Sequence, residues 1–179
     1  MNVGQIEKKT QARVLALLRD RLHYRDLGNW TDRPNNRNID AGLLQTWLIG
    51  RGVAQGPITK ALHAFQKAAG DTSQSPYDRN KAVYTLLRYG VHVKPEVGEH
   101  TVTVWLIDWA HPEANDFAVA EEVTVKGADP KAAGKRPDIV LYVNGIALAV
   151  LELKRSTVSV SEGIRQNLDN QKKEFIQPF

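Results

Sequence analysis

The sequence predicts an α/β fold with a helix-rich first half and a strand-rich second half. Apolar residues recur at helical spacing up to about residue 90, and from about residue 91 they gather into short β-branched runs. A 42% hydrophobic content over 179 residues is enough to bury a core of ordinary size, so a single domain spanning 1–179 is expected, helix-rich over 1–90 and sheet-forming over 91–179.

The elements follow in order. Over residues 5–22, Ile6, Val14, Leu15, Leu17, Leu18 and Leu22 form one broad stripe between charges, the pattern of an amphipathic helix. Residues 30–38 are rich in Asn, Arg and Pro and read as a loop. Helical spacing returns over 39–49 and 57–69. In the latter, Pro57 suits the first helical position, Gly70 lies just past the end, and Ile58, Ala61, Leu62 and Phe65 form the stripe. Residues 78–89 repeat the device and stop at Gly90. TVTVWLID over 101–108 and FAVAEEVTV over 117–125 are expected to be neighbouring strands. Residues 138–143 and 146–153 are nearly continuous apolar runs joined by Asn144-Gly145, a pair that tolerates positive φ, so a hairpin covered on both faces is expected. Ser161 is then read as the cap of a helix over 161–175, with Ile164, Leu168 and Phe175 packing beside the hairpin.

The composition excludes several classes. There are no cysteines, so disulfides, thiolate metal sites and cysteine nucleophiles are ruled out, and any metal must sit on oxygen or histidine. The longest uninterrupted apolar run, 146–151, is far short of the roughly 20 residues that cross a bilayer. A cytoplasmic protein with no membrane partner is expected. A net charge of +4 favours polyanionic partners modestly, because basic side chains release counterions from phosphate backbones. The five histidines show no metal-ligand spacing, and Trp105 and Trp109 are read as core residues.

Chemistry concentrates in Arg136-Pro137-Asp138 and, fourteen residues after the aspartate, Glu152-Leu153-Lys154. Two carboxylates and an ammonium at the edge of an apolar hairpin need compensation, since an unpaired buried charge costs several kcal/mol. A plain Lys–carboxylate pair is one answer. A metal site is the other: Glu152 and Lys154 are two apart and share a strand face, and two carboxylates with a phosphate oxygen and waters suit Mg²⁺. Register sets a condition. A strict two-residue turn places Val143 opposite Ile146 and Asp138 opposite Leu151, which turns Asp138 away from Glu152. The site therefore requires an irregularity, either a bulge beside Gly145 or a kink after Pro137, and a regular hairpin counts against it.

Pro137-Asp138 with Glu152-Leu153-Lys154 resembles the PD-(D/E)xK nuclease motif. The surrounding KRPDIVLYVNGIALAVLELKRS is similar to the endonuclease domain at the N-terminus of type I restriction-enzyme R subunits, as are NDFAVAEEVTV upstream and SEGIRQNLDNQKKEFI downstream. The likeness runs over roughly residues 1–179, most specifically from about 101 onward. It implies a restriction-endonuclease-like mixed central sheet flanked by helices. It also implies Asp138 and Glu152 as Mg²⁺ ligands, with the Leu153 carbonyl as a candidate addition, and Lys154 as the catalytic lysine. The family's Gln-x-x-x-Tyr motif is matched by Gln166 but not by Asn170, so only the glutamine carries over, as a contact near the scissile phosphate. Glu7 is the best-placed candidate for a further acidic residue on the first helix, against the alternative of simple solvation.

The implied activity is Mg²⁺-dependent cleavage of duplex DNA in a complex with specificity and methyltransferase subunits. The alternative is a catalytically silent docking or DNA-binding module. Type I R subunits are ATP-driven motors, but Gly134-Lys135-Arg136 is a poor phosphate loop, with Asp129 where the first glycine belongs and Arg136 in place of Ser or Thr. ATP is thus expected to serve the full-length subunit without binding here, and the chain is expected to be an N-terminal fragment lacking the helicase motor. Lys131, Lys135 and Arg136, with Lys126, are placed to grip the DNA backbone from the loop before the hairpin. Arg33 and Arg37 in the 30–38 loop face a choice between DNA, partner subunits and plain exposure.

Overall fold

Residues 3–21 are helical but not uniformly so. Helix α1 (Val3–Ala16) passes into a π-helical turn, Leu17–Arg21, closed by the Leu22 N–H on the Leu17 carbonyl at 3.1 Å. The wider turn shifts the phase of the apolar stripe. Val14, Leu15 and Leu18 consequently pack inward, whereas Leu17 and Leu22 are exposed. The computed structural model describes residues 3–96, 98–125, 134–153 and 160–170.

Two compact units divide the chain. The first comprises residues 1–38, 117–142 and 147–179, and the second comprises 39–116 and 143–146.

The first unit carries a mixed four-stranded sheet in the order β1 (Arg25–Asn29), β4 (Phe117–Glu121), β5 (Ile139–Val143), β6 (Ile146–Leu151). β1 pairs parallel to β4 with Arg25 against Ala118, and the register slips between Asp26 and Asn29. Nothing in the periodicity of 23–29 announces β1, which lies inside the half expected to be helical. β5 is one of the two inner strands: Ile139, Val140 and Tyr142 are buried, and the Tyr142 ring meets Trp30 at a centroid distance of 5.3 Å. β6 does not share that burial, contrary to the expectation of two covered faces. It ends the strand order, and Leu148 is 49% exposed. Leu18, Val119 and Ile139 form the core under α1, joined by Leu141, Leu151 and Leu153. Each fully buried side chain of this size contributes about 1.5–3 kcal/mol.

Helix α5 (Val160–Asn170) has Ser161 already inside it, so that serine is not its cap. Ile164 and Leu168 are exposed rather than packed beside the hairpin. Phe175 lies outside the described residues.

Among the described residues the second unit holds three α-helices, a 3-10 turn at Pro112–Ala114 and a small pair of strands. Helix α2 (Ala41–Gly50) is capped by Asp40, whose side chain accepts from the Leu43 N–H. Helix α3 (Gln55–Gly70) starts two residues earlier than its proline suggests and buries Ile58, Ala61, Leu62 and Phe65, the expected stripe. Helix α4 (Pro76–Tyr89) has Ser75 as its cap and ends at Gly90, whose φ of +75° is the left-handed exit. Strands β2 (Val91–Val93) and β3 (Val102–Val104) pair antiparallel as a separate sheet. The expected partnership of strands 101–108 and 117–125 is therefore wrong: β3 pairs with β2, and β4 sits between β1 and β5. Only three residues of TVTVWLID extend as a strand, because the chain turns at Leu106 and Ile107 and buries both. No helix among the described residues is long and apolar enough to cross a membrane.

Candidate active site

The hairpin turn is the two-residue form. Asn144 and Gly145 have φ of +52° and +82°, so no additional residue is accommodated at the turn. Asn144 is fully buried, and its amide is committed: Oδ1 accepts from the Asp116 N–H at 2.7 Å, and Nδ2 donates to the Leu106 carbonyl at 3.0 Å. Glycine is required next to it, since a Cβ at 145 would stand 2.8 Å from the Asp40 carbonyl and 2.9 Å from the Leu44 nitrogen.

The irregularity falls at the other end of the strand. Asp138 sits in a bend between the buried Pro137 and the first residue of β5. Opposite it, Glu122 takes a φ of +50°, and consecutive N–H groups of Glu122 and Val123 donate to the carbonyls of Asp138 and Pro137, at 2.9 and 3.2 Å. Pro137 has no N–H to offer a ladder, which suits this strand-end position. Asp138 Oδ2 accepts the Leu153 N–H, two residues past the end of β6, at 2.6 Å. A hydrogen bond this short to an ionised acceptor is worth roughly 1.5–3 kcal/mol net.

Leu153 completes its anchorage by packing its side chain against the Leu18, Val119 and Ile139 core. Its neighbour Glu152 is half-buried, and Glu152 Oε2 accepts from Gln166 Nε2 at 2.7 Å. Asp138, Leu153, Glu152 and Gln166 are thus linked from strand end to helix α5. Among the described residues no three His, Asp or Glu side chains converge, so a cation held here by Asp138 and Glu152 would complete its shell with water or backbone oxygen. That is the sparse, hard-oxygen set that Mg²⁺ accepts, and one N–H bond does not exhaust the lone pairs of a carboxylate.

Over residues 5–179 the sequence matches the family described as type I restriction enzyme R protein N terminus. The chain belongs to that family. It is 39% identical over 79 residues to the type I restriction enzyme HindI endonuclease subunit of Haemophilus influenzae, a match covering 42% of this chain and 7% of that protein. It is 37% identical over 78 residues to a putative type I restriction enzyme MjaIXP endonuclease subunit of Methanocaldococcus jannaschii, covering 42% and 8%. These matches span less than a tenth of either relative's length. No solved structure matches the chain.

The remaining residues singled out in this member of the R-protein N-terminal family are placed unevenly. Lys154, Lys126 and Lys131 lie outside the described residues, and Glu7 is within α1 but its side chain is not described. Lys135 exchanges both backbone hydrogen bonds with Val125, at 2.7 and 2.9 Å. Arg136 Nε pairs with Glu122 Oε2 at 2.9 Å while staying 57% exposed, so its charge is partly answered within the protein. Arg33 stacks its guanidinium 3.8 Å from the centroid of the Trp30 ring. Trp105 and Trp109 are not core residues: they are 50% and 47% exposed.

Sequence reasoning passed over Glu121 and Glu122. The buried Gln11 of α1 donates to Glu121 Oε2 at 3.1 Å, tying the first helix to β4. Both glutamates line a cavity of about 540 Å³ with Lys8, Gln11, Arg19 and Arg136. The available signal was a pair of carboxylates closing an otherwise apolar strand.

Proposed function

We propose that residues 1–179 form the nuclease domain of a type I restriction enzyme, hydrolysing phosphodiester bonds of duplex DNA with Mg²⁺. The observation that supports this reading is the Asp138–Leu153 hydrogen bond, which ties the Asp138 carboxylate to the backbone N–H of the residue after Glu152. Asp138 and Glu152 hold the ion, and Gln166 fixes the Glu152 carboxylate through its 2.7 Å bond. A bound Mg²⁺ supplies a more acidic water and charge stabilisation at phosphorus. Lys154 orients the attacking water or neutralises the negative charge that grows on the phosphoryl oxygens. Hydrolysis adds water across one P–O bond, giving a phosphate on one strand end and a hydroxyl on the other. Arg136, Lys135 and Lys131 meet the DNA backbone without reading sequence.

In this reading the specificity and methyltransferase subunits read the DNA, ATP drives translocation by the rest of the subunit, and the complex works in the cytoplasm. The test is the assembled enzyme carrying Asp138→Ala or Lys154→Ala. Cutting is expected to disappear while ATP hydrolysis persists. Cutting that survives either change overturns the reading and leaves a docking role.

A further inference from the structure

The second unit contains a cleft of about 660 Å³, within the roughly 300–1,000 Å³ of small-ligand sites. Its walls include Trp47, Trp105, Trp109, Tyr89, Arg51 and Arg88. Two of the indoles have their polar edges engaged: Trp47 Nε1 donates to the Ala114 carbonyl at 3.0 Å, and Trp109 Nε1 donates to the Leu87 carbonyl at 2.8 Å. Those rings are held in place with their edges satisfied. Gly90 permits the close approach of the wall behind Trp105, since a Cβ there would stand 2.5 Å from Thr103 Cγ2 and 3.5 Å from Trp105 Cδ2.

The charges decide the occupant. Asp108 is the one carboxylate among the described residues lining the cleft, and it is already committed: Oδ2 pairs with Arg51 Nη2 at 2.7 Å, and Oδ1 accepts the N–H groups of Ala110 and His111 at 3.2 and 2.9 Å. Arg51 and Asp108 cancel. Arg88 has no ion-pair partner among the described residues, and its guanidinium lies 5.6 Å from the Trp109 ring centroid. A flat, aromatic, singly anionic ligand fits these walls, which describes one nucleotide of a nucleic-acid strand. A free triphosphate would bring several charges to one arginine, and no glycine is among the described residues lining the cleft to cradle them. A base within a duplex has its faces covered by its neighbours, so the nucleotide must be unpaired.

We propose that this cleft binds an unpaired nucleotide of a DNA strand, stacked on the exposed faces of Trp105 and Trp109 with Arg88 at its phosphodiester. The proposal does not rest on the nuclease reading, because none of Asp138, Glu152 and Gln166 belongs to the cleft. Three of the four tryptophans line it, so intrinsic fluorescence reports on it directly.

The test titrates this chain with single-stranded oligothymidylate of about eight nucleotides, in EDTA at low salt. Saturable quenching is expected, weakened about tenfold or more by Trp105→Ala and by Arg88→Glu and largely retained by Trp105→Phe. Asp138→Ala is expected to bind as well as the unmodified chain, which separates this site from the nuclease site. Absence of saturable quenching, or quenching that both Trp105→Ala and Arg88→Glu leave unchanged, overturns the proposal. Equal binding of thymidine monophosphate overturns the assignment to a strand. If the two variants keep oligothymidylate binding but lose assembly with partner subunits, the cleft is a protein-docking surface instead.

Discussion

Asp138 Oδ2 accepts the Leu153 N–H at 2.6 Å, so the first carboxylate of the site is fastened to the residue that follows the second. The bond gives Asp138 a structural duty through its acceptor oxygen, which is separable from the chemical duty that the proposed function assigns to its charge.

Asp138→Asn separates them. Asparagine keeps an oxygen for the Leu153 N–H, so the melting temperature is expected to correspond to a loss of no more than about 1 kcal/mol. DNA cutting by the assembled enzyme is expected to fall at least about 100-fold, because a neutral amide neither holds the cation nor stabilises developing charge. Equal cutting by the variant would show that the carboxylate's charge is not used.

Gln166 is expected to act through Glu152. Gln166→Ala removes the 2.7 Å bond and is expected to lower cutting about 10–100-fold, the usual cost of losing a group that orients a metal ligand. Gln166→Glu places a second carboxylate against the first and is expected to be worse than alanine. If both variants cut normally, Gln166 has no part in placing Glu152.

The turn offers a test of the hairpin. Gly145→Ala introduces a side chain at a φ of +82° with its Cβ 2.7 Å from Leu43 Cβ. A destabilisation of roughly 2 kcal/mol or more is expected in denaturant unfolding. A variant as stable as the parent would mean that the turn differs from the one described.

Acid stability tests the loop at Asp108. The His111 N–H, then the Arg51 guanidinium, hold its carboxyl below the ordinary value of 3.8, against the opposing effect of burial. A lowered folded-state pKa gives stability that is fully present above 3.8 and is lost as pH falls through the folded value. Asp108→Asn cannot ionise, so its melting temperature is expected to be lower near neutrality and to fall less on acidification below 3.8. Parallel acid limbs for the two proteins would contradict the assignment.

Sequence and structure agree where one physical signal dominates. Gly90 ends α4, the stripe from Ile58 to Phe65 is buried, and Asn144-Gly145 turns the hairpin, since periodicity and positive φ are local properties. Pairing is not local. β1 carries no periodic signal of its own and becomes a strand only because β4 lies alongside it, and β3 pairs with β2 rather than with β4. In the proposed site, the spacing of Asp138 and Glu152 picked out the two carboxylates and required an irregularity, either a bulge beside Gly145 or a kink after Pro137. The Leu153 N–H that exploits the kink, and Glu122 in left-handed conformation opposite it, depend on tertiary contacts that spacing does not encode. Trp105 and Trp109 illustrate the reverse, apolar in type but left half-exposed by the turn that follows β3.

The central claim is that Asp138 and Glu152 share one divalent cation. Crystals of this chain soaked in Mn²⁺ and measured for anomalous scattering test it most directly. The account expects one peak within coordination distance of both carboxylates, about 2.0–2.3 Å, lost in Glu152→Gln. A peak elsewhere, or carboxylates that stay apart with no ion between them at saturating Mn²⁺, would contradict it.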